Sequence, residues 1–355
     1  MIKAMWAPFA AVALLVACAS ASSSGLAVKR AASVCNGYSE LCSKQYSNVT
    51  HIGAHDSYSV GSMSSVGTNQ ELDVTDQLKS GIRALQIQGH SEEGSASGIS
   101  LCHTDCSIRN GGTLESYLGN VTQWVKENPN DVVTIFIANN DNLPAAQWGK
   151  GFSSAGLEKY TYAPAGTKVS KNNWPQLKDM INKNQRVVVF MDYKADTSAV
   201  KYILPEFSNV FEDPYDQQST PFNCTADRFN GDTSHMMYLH NHFLDKKGDI
   251  LGKSYLTPDT SQLNKTNSVD SIMSNAASCA KKHDSYPTFI LFDFFDQGNG
   301  SVFEAAAQMN NVQYQATPIS SSSDSNSNSA SSMHPGLPYL GGLFALALGW
   351  VALIL

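Results

Sequence analysis

Residues 131–138 read DVVTIFIA. So continuous a run of β-branched and aromatic residues, with no polar alternation, marks a strand buried on both faces. Such a strand is parallel and covered by helices. The pattern recurs at 186–192 (RVVVFMD) and 288–293 (TFILFD), and more weakly at 236–240 (MMYLH). Shorter runs at 49–54, 82–88 (IRALQIQ) and 99–103 also read as strands. Between them lie helical stretches. Thr113 caps one whose Leu114, Tyr117, Leu118, Val121, Trp124 and Val125 recur at three and four residues, a single apolar stripe. Others fall at 74–80, stopped by Gly81, at 174–183, at 269–282 and at 301–309. Alternating strands and helices imply a parallel sheet with right-handed crossovers. The expected fold is α/β, an irregular TIM-like (β/α) barrel, although six or seven strands are legible rather than eight. Polar residues close nearly every strand (His55, Gln88, His103, Asn139, Asp192, His240 and Asp293), and a barrel gathers its site from many strand ends. An open doubly wound sheet would use one switch point, and no Gly-rich phosphate loop is present.

Both ends of the 355-residue chain read as processing signals. Met1-Ile2-Lys3 is a positive n-region and 10–17 an apolar h-region. Ala17-Cys18-Ala19 and Ala19-Ser20-Ala21 fit the small-x-small cleavage rule, so 1–21 is expected to be a signal peptide. Lys29-Arg30 is either a dibasic processing site or two solvated charges. Residues 337–355 are apolar and uncharged, and the preceding 319–336 are rich in Ser and Asn. Small residues, a polar spacer and an apolar terminus make a GPI-attachment signal, with candidate sites at 326–329. The rival is a tail-anchored helix, which lacks a Lys/Arg flank here. The Ser-rich stretch cannot bury enough apolar surface to order itself. The body, 31–318, suits one barrel of roughly 250 residues.

Apart from Cys18 the chain has six cysteines, an even number that in a secreted chain suggests three disulfides. Nearness in sequence favours Cys35–Cys42 and Cys102–Cys106, leaving Cys224–Cys279. A zinc site at Cys102 and Cys106 lacks a matching second pair. Asn-x-Ser/Thr sequons at Asn48, Asn120, Asn223, Asn264 and Asn299 offer glycosylation where exposed. The net charge of −7 argues against nucleic acid and gives no attraction to anionic lipid. The anchor, rather than charge, would hold the protein at a cell surface or cell wall. A monomer is expected.

Residues 49–61, VTHIGAHDSYSVG, deliver His55 and Asp56 to a strand end, and 99–104, ISLCHT, deliver His103. Two histidines at a pocket mouth suit a general base and a general acid, because imidazole titrates near neutrality. A carboxylate beside one of them would fix its tautomer. Asp56 adjoins His55, but neighbours on an extended strand point to opposite faces. Asp293, from another strand end, is the better partner.

The runs THIGAHDSYSVG, DVTDQLKSGIRALQIQGH, LCHTDC, GGTLESYL and NPNDVVTIFI, and more loosely VVVFMDYK, YLHNHFLD and FILFDFFDQGNG, span most of the body. They resemble the phosphatidylinositol-specific phospholipase C X domain, and within it the fungal secreted PLC-like phosphodiesterases. The resemblance implies an irregular TIM barrel and a phosphodiester substrate, such as an inositol phospholipid or glycolipid head group. It implies His55 as base, His103 as acid and Asp293 as the carboxylate supporting the base. This sequence departs from the family on the second strand. Where metal-free members carry an Arg and calcium-dependent members carry acidic ligands, it has Gln86 and Gln88. They share a face and offer hydrogen bonds but no charge. Calcium wants several carboxylate oxygens, so neither a metal nor any other cofactor is expected. His90 is a candidate for the missing positive charge, and Arg83 is expected to pair with Asp76. Asp56, Gln86, Gln88, His90, Asn139 and Asp192 are the candidate substrate ligands.

Losing an oriented charge at phosphate lowers catalysis steeply, so an inactive surface protein that binds a phosphorylated head group is the alternative. A metal hydrolase built on His240-Asn241-His242 lacks a visible ligand set. Gly89 to Gly94 is one residue too long for a serine-hydrolase elbow.

Overall fold

In the computed structural model, the runs read as buried strands close most of a barrel. Residues 32–319 are described, except 93, 104, 251 and 252. The expected signal peptide, the Lys29-Arg30 pair, and the expected linker and apolar tail beyond Ile319 lie outside the described residues. The strands are β1 (His51–Ala54), β2 (Ala84–Ser91), β3 (Ile99–Cys102), β4 (Asn110–Thr113), β5 (Val133–Ala138), β6 (Val187–Met191), β7 (Ile203–Pro205), β8 (Val210–Glu212), β9 (Met237–Asn241), β10 (Asp245–Ile250), β11 (Lys253–Pro258) and β12 (Phe289–Phe292). Eight of them run parallel in the order β7-β6-β5-β2-β1-β12-β9-β8, which is chain order around a ring. β7 and β8 are the two ends of that path, so the barrel is open along one seam. A 3₁₀ turn, Glu206–Ser208, crosses it.

Two differences from the sequence reading follow from strand length and pairing. β7 and β8 have three residues each, too few to show a period. The run at 99–103 is not a barrel strand. β3 pairs antiparallel with the outer end of β2, Leu101 opposite Gly89, and carries β4 on its other edge. His103 therefore reaches the site on a hairpin that leans back over the barrel mouth. Arg83 donates to Asp131 at 2.8 and 3.0 Å, while Asp76 pairs with Lys79 instead. The reason is direction: Arg83 follows helix α1 (Val74–Ser80) and points to the β5 side of the sheet, beneath Trp124.

Alternation along the barrel strands builds two cores. Phe136, Val188, Phe190, Leu239, Phe289 and Leu291 point inward, joined at the amino-terminal end by Tyr46 and Trp174. Ile135, Ile137, Val189 and Ile290 point outward against Leu118 and Val121 of α2 (Leu114–Glu127) and Trp148 and Phe152 of α3 (Ala145–Ser154). α2 starts where Thr113 Oγ1 accepts the Ser116 N–H at 3.2 Å. α4 (Val269–His283) is capped in the same way by Ser268. Three disulfides, Cys35–Cys42, Cys102–Cys106 and Cys224–Cys279, tie the outer segments. All five sequon asparagines are exposed.

β1 passes between Leu291 and Ala84 at Gly53, and a Cβ there would lie 2.4 Å from Leu291 Cδ2 and 3.0 Å from Ala84 Cβ. Gly53→Val overpacks this point and is expected to cost about 1–3 kcal/mol, read as a lowered denaturant midpoint at unchanged m-value.

Two buried histidines make stability pH-dependent. Burial pushes His51 down to about 4, and burial with the neighbouring His240 pushes His242 down to about 3. Both sit below the unfolded value of about 6.5, so the unfolded chain takes up more protons beneath that pH. Their contribution is intact above about pH 6.5 and is lost as the pH falls towards 4 and below. The melting temperature should fall over this window, and less steeply in His51→Gln than in the parent.

Candidate active site

Strand β1 ends at Ala54, and the chain then turns sharply. Asp56 takes a left-handed φ of 39°, which Asp tolerates better than most residues. The turn is held on every side. Gln86 Oε1 accepts the Asp56 N–H at 2.7 Å, Ser57 N–H donates to Gln86 O at 2.9 Å, and Gln70 Nε2 donates to the His55 and Phe292 carbonyls at 2.7 and 2.9 Å. The parallel register of β1 on β12 puts Ala54 opposite Phe292, so the next residues, His55 and Asp293, emerge side by side. His55 Nδ1–H donates to Asp293 Oδ1 at 2.9 Å, and Asn69 Nδ2 donates to the same oxygen at 2.9 Å. That bond leaves His55 Nε2 facing the cavity. Phe243 lies flat against the imidazole, 4.0 Å between centroids and 5° between planes.

The left-handed turn overrides strand alternation. Asp56 does not point away from His55. Its Oδ2 lies 3.9 Å from His55 Nε2 and 3.2 Å from His103 Nε2, so both histidines reach one carboxylate oxygen. Burial works against a charged His55, but the carboxylates of Asp293 and Asp56 outweigh it and raise the imidazole to about 9.

These groups form the floor of a cavity of about 410 Å³ at the carboxyl ends of the strands. Gln86, Gln88 and Asp192 also line it, whereas two other expected ligands lie elsewhere. Asn139 is fully buried as a bracket: its amide donates to the Leu143 and Tyr193 carbonyls and accepts from Trp148 Nε1. His90 is outside the lining and pairs with Asp141 at 3.0 Å. Gln86 is already committed to the Asp56 backbone. His240 and His242 sit behind the wall, bonded to one another at 3.1 Å, with His240 on Asp213 and His242 on the Thr266 carbonyl. Asp213, His240 and Cys279 cluster closely enough for a metal, but Cys279 is held in a disulfide.

Sequence reasoning missed Asn69, Phe243, Asp245 and the group Glu206, Glu212 and Arg228, all of which line the cavity. The cation absent from the second strand appears here as Arg228, on the other side of the barrel and paired with Glu212. The run at 212–216, EDPYD, supplies Glu212, Tyr215 and Asp216 to this wall, whereas Glu206 and Arg228 come from separate segments.

An open parallel barrel is a fold this chain shares with phosphatidylinositol-specific phospholipase C. The enzyme of that name from Listeria monocytogenes superposes with a TM-score of 0.51 at 15% identity, over 77% of this chain and 96% of the other. A mutant of the Staphylococcus aureus enzyme gives 0.52 at 13% identity, over 77% and 95%. At such identities the likeness is one of fold. The chain belongs to the PI-PLC X family, whose model, PI-PLC X 1, matches residues 41–310. Two proteins of Arthroderma benhamiae are similar over most of this chain. An uncharacterized secreted protein is 40% identical over 289 residues, 79% of this chain. PI-PLC X domain-containing protein 1 is 35% identical over 285 residues, covering 79% of this chain and 90% of the relative. This chain spans 64% of the first relative's length.

Because Asp293 gives His55 its strongest support, Asp293→Asn should move the His55 titration, followed by ring-proton NMR, from about 9 towards the ordinary histidine value of about 6.5. An unmoved midpoint would mean that the ion pair does not form in solution.

Proposed function

We propose that the protein is a secreted phosphodiesterase that cleaves a phosphodiester by transfer to a neighbouring hydroxyl of the same substrate. The observation carrying this reading is the meeting of His55 Nε2 and His103 Nε2 at one carboxylate oxygen on the cavity floor, with His55 backed by Asp293. The substrate hydroxyl attacks phosphorus and its proton passes to His55 Nε2. The bond from phosphorus to the leaving oxygen breaks, and His103 protonates that oxygen. The products are a cyclic phosphodiester and an alcohol. Asp293 holds the His55 tautomer and stabilises the imidazolium, while Asp56 orients His103. Family membership and the PI-PLC fold support the class of reaction. A relative described as secreted, three disulfides and five exposed sequons support export and glycosylation. The pattern of the tail supports a GPI anchor at the cell surface.

One observation favours a second reading, a surface protein that binds a phosphorylated head group without turning it over. The second strand brings Gln86 and Gln88 to the cavity where a charged residue would hold phosphate, and Arg228 on the opposite wall is paired with Glu212.

Turnover of lysophosphatidylinositol and of simple phosphodiesters by the purified protein separates the two readings. Activity is expected, with His55→Ala and His103→Ala each losing roughly 10²–10⁴-fold. Binding without product selects the second, and activity indifferent to both substitutions overturns the two-histidine mechanism. The base must be neutral and the acid protonated at once, so kcat/KM should be bell-shaped in pH, with one limb near 9, the His55 value in the free protein. In Asp293→Asn that limb should move to lower pH as the rate drops.

A further inference from the structure

The wall that faces the histidines across the barrel is acidic. β1 and the β7–β8 seam are on opposite sides of the ring. From the seam side the cavity receives Asp192, Glu206, Glu212 and Asp216, and from the β10–β11 hairpin it receives Asp245. The wall's cation, Arg228, pairs with Glu212 through one nitrogen, leaves its Nε without a partner among the described residues, and lies over the Tyr215 ring at 4.5 Å. Glu206 is only 3% exposed, and its Oε1 has no hydrogen-bond partner among the described residues. A buried carboxyl oxygen left without a partner costs free energy, and this one belongs to the cavity lining. Burial pushes Asp192 up to about 6 and Asp245 to about 7. Burial and then the Glu212 charge push Glu206 well above its ordinary range. Together these carboxyls lack the positive charge that would let them ionise freely.

A lone phosphate gains nothing from such a wall. A metal ion does not match it either. Among the described residues, the close sets of three ligand atoms are Glu92 with Cys102 and Cys106, and Asp213 with His240 and Cys279. None comes from this wall, so its negative charge is spread along the cavity side rather than focused on one point. Spread charge beside aromatic faces suits an organic cation. Tyr193 and Tyr215 are each 48% exposed and line the same wall, and a tyrosine ring attracts an ammonium group within about 6 Å of its centroid.

We infer that the wall formed by Asp192, Glu206, Tyr193 and Tyr215 is a subsite for an organic ammonium group, so that the ligand is a zwitterionic phosphodiester. Its phosphate lies at His55 and His103 and its amine lies across the barrel. The phosphate half rests on the function proposed above, whereas the ammonium half stands on the wall alone. A primary ammonium donates to the free Glu206 oxygen, and a quaternary one packs on the tyrosines. Binding of either favours the ionised carboxyls and releases protons.

Three probes that share a glycerophosphate and differ only in the head group test this on the full chain by calorimetry: glycerophosphoethanolamine, glycerophosphocholine and glycerophosphoinositol. At least one ammonium probe should bind about tenfold or more tighter than glycerophosphoinositol, a difference of about 1.4 kcal/mol. Its affinity should rise between pH 5.5 and 8. Preference for ethanolamine assigns recognition to the carboxyls, and preference for choline assigns it to the tyrosines. Glu206→Gln and Tyr215→Ala, checked for folding by thermal melts, should narrow the gap between head groups. Equal or tighter binding of glycerophosphoinositol overturns the inference, as does no binding of any probe or an ammonium preference untouched by both variants. Selective ammonium binding without turnover of any diester would sink the proposed activity and leave this subsite standing. Turnover with no preference for an amine would do the reverse.

Discussion

The parallel ladder between β1 and β12 is the constraint on which the site depends. Ala54 pairs with Phe292, and one step further on His55 meets Asp293. A slip of one residue in that register would turn His55 away from its carboxylate. The fold guards against this by packing. Gly53 lets Leu291 pass at close range, and Gln70 ties the His55 and Phe292 carbonyls together just above the last ladder pair. Phe294, next to Asp293, takes a left-handed φ of 45°, a conformation that costs a bulky residue free energy. It is held there by its N–H bond to the Asn69 carbonyl and by the Asn267 amide, which caps the Asp293 and Phe294 carbonyls. Strain beside the carboxylate is thus countered by bonds from two other segments.

The second determinant is charge. His55 is enclosed by Asp293 and Asp56 and by the more distant Asp245, which keeps its imidazole a strong proton acceptor in a largely buried site. The opposite wall adds further carboxyls and one committed arginine. A barrel mouth of this kind joins a floor of histidines and carboxylates to an electronegative side, and that asymmetry gives the cavity a direction along which an elongated ligand would lie. The short strands β7 and β8 and the seam between them matter here, because Glu206 and Glu212 sit where the ladder is interrupted.

Much of this was legible in the residue pattern. DVVTIFIA, RVVVFMD and TFILFD read as strands because short β-branched and aromatic runs suit a parallel sheet covered on both faces, and they became β5, β6 and β12. Thr113 and Gly81 bound their helices through local backbone chemistry, which acts over three or four residues and so is visible in sequence. The meeting of His55, His103 and Asp293 could be anticipated from strand ends and from family resemblance. The course of the chain to His103 could not, since an antiparallel hairpin and a barrel strand of four residues have the same composition.

What the sequence determined by itself is therefore the class of fold and the identity of the two histidines, because hydrophobic period and strand-end polarity are local properties. Tertiary structure alone decided the rest. Asp56 faces both histidines through a left-handed turn that strand alternation does not foresee. Asn139, polar and at a strand end, became a buried bracket because loops closed over it. Phe243 and the acidic wall come from segments far from His55 in sequence, brought to it by closure of the ring. Contacts between residues so distant along the chain leave no periodic trace, and the electrostatics of the cavity depend on those contacts.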